Sequence, residues 1–409
     1  MTTLSVFLDV PKSIKDKDKQ QEEDFLKDRD RRKVFFRQRV FLSEDGQPWV
    51  PLPVKKVYLQ IVNDPTRNYE YLPASGAPEF IRGVTELALG KTNAILQNRA
   101  SGVQTPGTSG AFRIGAEFLQ RWYNVNRKTS VCIALLAHDR YRWIFEAAGI
   151  RDIRTYRFLD TKNMDLALPE MLEDLENSPD NSVVVLPTSC NPTGVQLSSS
   201  DWEQIADVMK RKSMFPFFHL KDQGLASGDT DTDAWPVRYF LSEGFELFCT
   251  QTFSASFGLY GERVGNLLFV MKSNEVLLSV RSQLENLALG LWSTPPCIGS
   301  RVVATVLNNP SLYAEWQESL KIAVRRLMII REKIREKLRL LETLKCWDHL
   351  TRQAGLSASI GLTLSEVEIL AKRKHIYLCD QGQMNISGLN ASNLDYVTQA
   401  IHDVTVNDC

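Results

Sequence analysis

Paired cysteines and long apolar runs are both missing from this sequence of 409 residues. Its seven cysteines are odd in number and form no C-x-x-C pair, which favours a reduced compartment with buried thiols and predicts no metal site. The longest apolar run, at 131–137, is far too short to span a bilayer, and no cationic, apolar signal opens the sequence. We therefore expect a cytoplasmic protein with no membrane partner.

An excess of one charge is missing as well. Lysine plus arginine and aspartate plus glutamate stand at 49 each, so no net field favours nucleic acid or an acidic membrane as a partner. The sequence does have 43% hydrophobic residues. That content, over this length, predicts a compact protein of one large or two ordinary domains.

Short apolar runs alternate with segments of helix length along the middle of the chain. The runs lie at 131–137, 182–187 and 215–220. Buried runs with this spacing predict βαβ units and a mostly parallel sheet, and hence the α/β class. The helix after 182–187 is expected to begin with a capping box formed by Ser200 and Glu203.

One stretch between two apolar, strand-like runs concentrates hydroxyls, glycines and an arginine. It covers 251–266 and has the sequence Gln-Thr-Phe-Ser-Ala-Ser-Phe-Gly-Leu-Tyr-Gly-Glu-Arg-Val-Gly-Asn. Loops that cradle a phosphate are usually built from such residues. The stretch closely resembles the cofactor-lysine loop of the aspartate aminotransferases, fold type I enzymes that depend on pyridoxal phosphate (PLP). In that family the lysine forms a Schiff base with PLP, and Ala255 stands in its place here.

Further motifs extend the resemblance over nearly the whole chain. They are Glu-Tyr-Leu-Pro at 70–73, Gly-Thr-Ser-Gly at 107–110, Asn-Pro-Thr-Gly at 191–194 and Gly-Gln-Met-Asn-Ile-Ser-Gly-Leu at 382–389. The resemblance implies that PLP is bound, without a covalent link, by Tyr71, Ser109, Gly110, Asn191, Thr252, Ser254 and Arg263.

The resemblance also assigns roles to these residues. Arg263 would anchor the cofactor phosphate, Asn191 would donate to the phenolate oxygen, and Tyr71 would reach the phosphate bound by the partner subunit. An alternative for Arg263 is a structural ion pair, with Glu262 as the candidate partner. A homodimer is implied too, because the arm that corresponds to 1–11 packs on the neighbouring subunit in that family.

Positions that carry the family's chemistry are altered. His219 stands where the family has the aspartate that keeps the pyridine nitrogen protonated, and a neutral histidine cannot do this as a carboxylate does. Asp222 replaces the tyrosine that contacts the phenolate oxygen. Its neighbour Lys221 is not expected to substitute for the missing lysine, because alternate strand residues face opposite sides. The family positions that contact the substrate or the pyridine ring are occupied here by Arg39, His138, Leu289 and Gln383.

The fold implied by the resemblance is a mostly parallel central sheet flanked by helices, with a smaller α/β domain beside it. The expected divisions are an N-terminal arm at 1–11, a small domain built from 12–45 and 326–409, and a large PLP-type domain at 46–325.

Three functions are compatible with this pattern. The first is a pseudoenzyme that binds PLP or another phosphate ligand without ordinary transamination. The second is an active PLP enzyme, acting on aspartate, glutamate or other amino acids and 2-oxo acids with substitute residues. The third is a structural or partner-binding protein. One acid–base group is worth ~10²–10⁴ in rate and each arginine–carboxylate contact about 1.5–3 kcal/mol, so losing them together favours the first.

Overall fold

The computed structural model describes most of the chain. It covers residues 5–12, 17–37, 40–90, 95, 97–125, 128–135, 139–188, 193–343, 345–379 and 382–406. Three of the expected site residues, Arg39, His138 and Asn191, lie outside the described residues.

Helices and strands alternate through the middle of the chain, and a long helix leads to the C-terminal part. The helices are α1 Lys17–Lys27, α2 Leu52–Val62, α3 Pro78–Leu89, α4 Gly107–Trp122, α5 Asp139–Ala147, α6 Leu168–Glu176, α7 Ser199–Arg211, α8 Thr230–Ser242, α9 Asn274–Trp292, α10 Ile298–Asn308, α11 Pro310–Leu340, α12 His349–Arg352, α13 Leu364–Lys374 and α14 Leu394–Val406, with a 3₁₀ turn at Ile386–Gly388. The strands are β1 Val34–Phe35, β2 Ala100–Pro106, β3 Ser130–Ala134, β4 Asp152–Tyr156, β5 Leu159–Asp160, β6 Asp165–Leu166, β7 Val183–Pro187, β8 Phe215–Leu220, β9 Leu247–Thr252, β10 Val264–Val270, β11 Ser357–Ser359, β12 Ile376–Tyr377 and β13 Gln383–Asn385.

The main sheet confirms the predicted α/β class. Its strand order is β2-β10-β9-β8-β7-β3-β4. β10 runs antiparallel to β2 and β9, whereas β9, β8, β7, β3 and β4 pair in parallel. Strands in such a sheet are covered on both faces, which explains why they are continuous apolar runs and not alternating ones.

The two faces of the sheet build separate cores from alternate residues of each strand. Phe217 and Phe248 point into a cluster that includes residues of α4, α5 and α9. Their sequence neighbours Phe218 and Cys249 point into the opposite cluster, with residues of α6, α7 and α8. Because successive strand side chains face opposite sides, two adjacent aromatic residues serve two different cores.

A third core joins the loop after β9 to α11 and the C-terminal elements. Ala255 is buried in it. The Trp316 indole of α11 donates to the carbonyl oxygen of Ser256 at 2.8 Å, and its ring lies 4.5 Å from that of Phe257. The N-terminal strand β1 joins the C-terminal part through parallel pairing with β12. The contacts of Trp316 therefore fix the loop that contains Ala255 against α11, the longest helix.

The expected capping box is present but begins two residues earlier. Ser198 accepts from the backbone N–H of Asp201 at 3.2 Å, and the Asp201 carboxylate accepts from the N–H of Ser198 at 2.7 Å. The prediction of Ser200 and Glu203 was wrong because three consecutive serines offer three possible starts. The observed start at Ser198 is compatible with burial of Trp202 on the side of the helix that faces the sheet.

No helix within the described ranges is both long enough and apolar enough to cross a membrane.

Candidate functional site

The loop between β9 and β10 holds Ala255 in an apolar setting. Its side chain is 2% exposed and belongs to the same core as Phe253 and Phe257. Gly258 donates to the carbonyl oxygen of Ala255 at 3.2 Å, which closes the turn. A methyl group here can pack, but it can neither form a bond to a carbonyl carbon nor transfer a proton.

Arg263 lies across the first residue of α4. Gly107 has a φ of +70°, and a Cβ on it would come within 2.7 Å of the Nη2 atom of Arg263. On the other side, a Cβ on Gly265 would come within 2.6 Å of the backbone carbon of Gly107. Two glycines thus allow the helix start, strand β10 and a guanidinium to approach one another closely.

The N-terminus of α4 has no side-chain cap. Pro106 occupies the capping position without a side-chain hydrogen bond, and the first turn contains no acidic residue. By contrast, α8 begins with a bond from the Thr232 N–H to the Asp229 carboxylate. Uncapped N–H groups and the positive end of the helix dipole favour an anion, and Ser109 and Gly110 lie in this turn.

The structure does not contain the ion pair that was the alternative for Arg263. Glu262 accepts instead from the Tyr58 hydroxyl at 3.2 Å. Within the described ranges no carboxylate pairs with Arg263, whose side chain is exposed and whose φ is +53°. A planar, permanently charged group therefore lies beside the helix terminus, and no described residue supplies its counter-ion.

Hydroxyl groups lie next to this arginine and helix start. Thr252 ends β9 and pairs with Gly265 in the sheet. Its Oγ1 lies 3.2 Å from the Oγ of Ser254. Since Gly265 in turn contacts Gly107, the loop after β9 and the N-terminus of α4 meet at one point. The structure thus brings together the expected Ser109, Gly110, Thr252, Ser254 and Arg263.

His219 lies at the other end of the site, and each of its ring nitrogens meets a hydroxyl group of another described residue. Its Nδ1 is 2.8 Å from the Oγ1 of Thr250, and its Nε2 is 2.9 Å from the hydroxyl of Tyr141. The ring of Phe112 from α4 packs against it with centroids 5.2 Å apart. Both ring nitrogens face hydroxyls, so this position offers no carboxylate to a pyridine nitrogen.

Tyr141 and Thr250 are site residues that sequence reasoning missed. Tyr141 lies 78 residues from His219 in sequence and meets it only through the packing of α5 on α4. Thr250 precedes the expected Thr252 by two residues on β9, so both side chains share one face of the strand. That strand periodicity was a signal for Thr250, whereas no motif marked Tyr141.

Asp222 follows β8 in a left-handed backbone conformation with a φ of +59°. Its carboxyl group is buried, and the Nζ of Lys221 lies 3.5 Å from Oδ2. Burial raises the pKa of this carboxyl, and the opposing effect of the Lys221 ammonium is smaller. Its other oxygen, Oδ1, is buried without a hydrogen-bond partner in the described part of the protein.

Three further expected residues lie on other parts of the chain. Tyr71 is 88% exposed, in a segment held by the bond from Arg301 to the carbonyl oxygen of Asn68. Leu289 is 53% exposed on α9. Gln383 is buried in β13, where it pairs with Ser359.

A phosphorylated pyridine fits one end of this arrangement better than the other. The close approach of the Arg263 guanidinium to Gly107, with no carboxylate partner for it among the described residues, and the uncapped helix match a phosphate dianion. The ring end presents the His219 imidazole and the Asp222 Oδ1 atom, for which the described residues supply no hydrogen-bond partner. The site can therefore hold a phosphate and orient a ring, but it has no amine at position 255.

Comparisons with known proteins show which family this chain resembles over most of its length. The family model described as aminotransferase class I and II matches residues 41–401. The chain is 45% identical to the cytoplasmic aspartate aminotransferase of Gallus gallus over 384 residues, which is 93% of each chain.

Solved structures are similar over nearly their whole length. An aromatic-amino-acid aminotransferase from Burkholderia pseudomallei, covalently bound to pyridoxal phosphate, is 31% identical. The superposition has a TM-score of 0.94 and covers 98% of this chain and 100% of that one. A lysine-to-alanine variant of a mitochondrial aspartate aminotransferase from Trypanosoma brucei is 34% identical, with a TM-score of 0.89 over 94% and 100% of the two chains.

Proposed function

The chain belongs to the class I and II aminotransferase family, and we propose that it is an aspartate-aminotransferase-like pseudoenzyme. In this proposal it binds pyridoxal 5′-phosphate or a related phosphorylated pyridine without a covalent link. It catalyses little or no ordinary transamination.

The buried methyl group of Ala255 carries the proposal. The related structure from Burkholderia pseudomallei holds its cofactor covalently, and this chain lacks an amine at the position of the family's Schiff-base lysine. An acid–base group at one position is typically worth ~10²–10⁴ in rate. Because Ala255 is 2% exposed and surrounded by apolar side chains, ordered water is a poor substitute for a lysine there.

Affinity would come from the phosphate end. Arg263 offers a planar fork, the first turn of α4 offers N–H groups, and Thr252 and Ser254 offer hydroxyls. When bound, the cofactor supplies a pyridine ring that withdraws electrons from an attached carbon. With His219 hydrogen-bonded to two hydroxyls, no carboxylate keeps the ring nitrogen protonated, so this electron withdrawal would be weak.

Amino-acid and 2-oxo-acid substrates would be poorly held. Leu289 and Gln383 stand at the family positions of the two arginines that bind substrate carboxylates. A leucine offers no donor, and a glutamine offers only neutral hydrogen bonds. These two changes remove charge-assisted contacts without disturbing the phosphate end.

We also propose a homodimer with the cofactor clefts at its interface, located in the cytoplasm. The arm exposes Val6, Phe7 and Leu8 at 90%, 73% and 66%, and Tyr71 is exposed at 88%. Apolar and aromatic groups exposed together are typical of surfaces that a partner covers. Light scattering should give a dimer at micromolar concentration, and a monomer would contradict this part of the proposal.

A second candidate function is favoured by one distance. The Lys221 ammonium lies 3.5 Å from Asp222, which occupies the family position beside the phenolate oxygen. In this alternative Lys221 replaces the missing amine and the chain is an active PLP enzyme. The side chain is already paired with a buried carboxylate, which would have to release it, so we rank this candidate second.

Incubation with PLP, followed by borohydride reduction and peptide mapping, separates the two candidates. The pseudoenzyme binds PLP by titration calorimetry, yields no adduct at stoichiometric PLP and does not transfer the amino group of aspartate. An adduct mapped to Lys221, together with aspartate turnover, would establish the second candidate. Absence of any binding would leave a structural or partner-binding protein.

A further inference from the structure

A cavity of about 350 Å³ lies between the N-terminal halves of α7 and α8, apart from the site described above. Trp202 of α7 lines it, together with Trp235 and Pro236 of α8 and Pro187 at the end of β7. These two helices pack on one face of the main sheet, whereas α4 packs on the other. Cavities of about this size with a mainly apolar lining are typical of ligand sites. We call this cavity the outer cleft.

Two indole N–H groups border the outer cleft without a hydrogen-bond partner. Trp202 is only 3% exposed, yet no described residue accepts from its Nε1. The Nε1 atoms of Trp292 and Trp347 are fully enclosed, and that of Trp202 is not among these enclosed atoms. The Nε1 of Trp235 also has no acceptor in the described part of the chain. Because a buried indole N–H normally finds an acceptor, a ligand with acceptor atoms would satisfy both groups.

The carboxylate that lines the outer cleft is already fully used. Asp233 Oδ2 accepts from the N–H groups of Gly224 and Ala226 at 2.7 and 3.1 Å. Its Oδ1 accepts from the N–H and the hydroxyl of Ser227 at 3.1 and 2.6 Å. A carboxylate has about four acceptor sites, so these four bonds occupy all of them. A cationic ligand would find no available oxygen on this group.

An anionic ligand is not favoured either. None of the described residues that line the outer cleft is cationic. Asp201 and Asp229 cap the starts of α7 and α8 with their carboxylates, and Asp233 adds a third carboxylate in the first turn of α8. These negative charges oppose the attraction of an anion to the helix N-termini. The outer cleft therefore favours a neutral ligand that has apolar surface and accepts hydrogen bonds.

Prolyl peptides have this combination of properties. A proline residue has an apolar ring and an acceptor carbonyl, and it has no backbone N–H that would need an acceptor. Proline-rich segments in the polyproline II conformation bind grooves lined by aromatic side chains. A carbohydrate would instead bring many hydroxyl donors, and the Asp233 carboxylate is not available to accept from them.

From these observations we propose that the outer cleft binds a proline-rich segment of a partner protein. The prolyl rings pack on the indole rings of Trp202 and Trp235, and prolyl carbonyl oxygens accept from the two indole N–H groups. The Trp235 ring is stacked on that of Tyr239, with centroids 5.0 Å apart and an interplanar angle of 7°, which holds it in place. The inference goes beyond the proposed function and does not depend on PLP, because the outer cleft shares no described lining residue with either end of that site.

Titration calorimetry of the full-length protein with a blocked oligoproline peptide of about ten residues tests the proposal. A blocked glycine-serine peptide of the same length is the control ligand. The wild type should bind the oligoproline at least about tenfold more tightly than the control peptide. Trp235→Phe keeps an aromatic ring and removes one N–H, so it should weaken oligoproline binding by about two- to tenfold. Trp143→Phe, at a position on α5 that is 54% exposed and outside the outer cleft, should bind as the wild type does.

Trp202→Phe repeats the test from the other helix and should weaken binding to a similar extent. Thermal unfolding of each variant shows whether it is folded, and the wild-type measurement decides the question even if a variant is not. Equal affinity of the wild type for the two peptides, or no binding of either, would overturn the inference. Wild-type affinity in both folded tryptophan variants would overturn it as well. Binding of a glucose oligomer and not of oligoproline would show that the outer cleft is a carbohydrate site, which also contradicts the proposal.

Discussion

The N-terminus of α4 and the carboxyl end of β8 form two ends of one site, and they differ in what has been kept. At α4, Gly107 leaves room for the Arg263 guanidinium, and the helix start has no side-chain cap. At β8, His219 is bonded to two hydroxyls and Asp222 has an oxygen with no partner in the described chain. Under the proposed function, this contrast means that the groups that bind a phosphate and the groups that perform chemistry are separable on one fold.

The two ends nevertheless share supporting elements. α4 provides both the turn that we propose binds the phosphate and Phe112, which packs on His219 with ring centroids 5.2 Å apart. β9 provides Thr252 to one end and Thr250 to the other. Variants at either end therefore need controls that report on the fold as well as on the ligand.

The largest expected effect is at Arg263. Arg263→Ala should abolish measurable PLP binding by calorimetry, because a lost charged partner costs about 2–5 kcal/mol, or about thirty- to several-thousandfold in affinity. Arg281→Ala is the matched control, since Arg281 lies on α9 and pairs with Glu285 one turn on. Equal affinity of Arg263→Ala and wild type would show that no phosphate site survives there.

The next prediction concerns the close approach between Gly107 and the Arg263 guanidinium. Gly107→Ala should weaken PLP binding by about tenfold or more, because its Cβ would come within 2.7 Å of the Arg263 guanidinium. The control is Gly46→Ala, whose φ of +71° is almost identical but which has nothing within 4 Å. Both variants should lose about 1–2 kcal/mol of stability from the positive φ. If they also lose the same affinity, the close approach has no role in binding.

Ala255→Lys tests whether an amine at position 255 can form a covalent link to a cofactor bound at the phosphate end. The variant should bind PLP with an affinity no lower than that of the wild type. It should also form an imine at position 255 that borohydride reduces to a stable adduct. It should still not turn over aspartate, because His219, Leu289 and Gln383 remain. Ala255→Met fills the same buried volume without an amine and should give no adduct. Transaminase rates in Ala255→Lys typical of an active aspartate aminotransferase would refute the idea that the ring end has lost more than one function.

The smallest expected effect is on stability at the ring end. Asp222→Asn should raise the unfolding temperature by about one degree at pH 8, since removing a desolvated charge is worth about 1 kcal/mol and the unfolding entropy of a chain this long is large. Because the folded-state pKa of Asp222 is raised by burial, wild-type stability falls as pH rises above about 4, the unfolded-state value. The difference between variant and wild type should therefore vanish below that pH. Asp45→Asn, at an exposed position, should show no such pH-dependent gain.

Sequence reasoning identified the fold and predicted the residues of the proposed phosphate end, because both depend on local patterns. The buried runs at β7, β8 and β9 and the residues of the loop after β9 are contiguous in the chain. The capping box of α7 was misplaced by two residues because the serines at 198–200 are locally equivalent. The sequence indicated a capping box here, but it did not show which of the three serines forms it.

The remaining features depend on contacts between distant segments. Arg263 meets Gly107, and His219 meets Tyr141, only after β8, β9 and β10 have paired beside α4. The left-handed backbone of Asp222 has no sequence signature either, because an aspartate tolerates several conformations. The sequence shows which residues occupy these positions, but it does not show which residues they contact.

The central claim is that the phosphate end binds while the ring end cannot form a covalent link. Mass spectrometry of wild-type protein with stoichiometric PLP tests it most directly, first under native conditions and then denatured after borohydride reduction. The account predicts one cofactor per chain in the native spectrum and an unmodified chain in the denatured one. A cofactor adduct that survives denaturation and maps to a lysine in the cleft, such as Lys221, would contradict it.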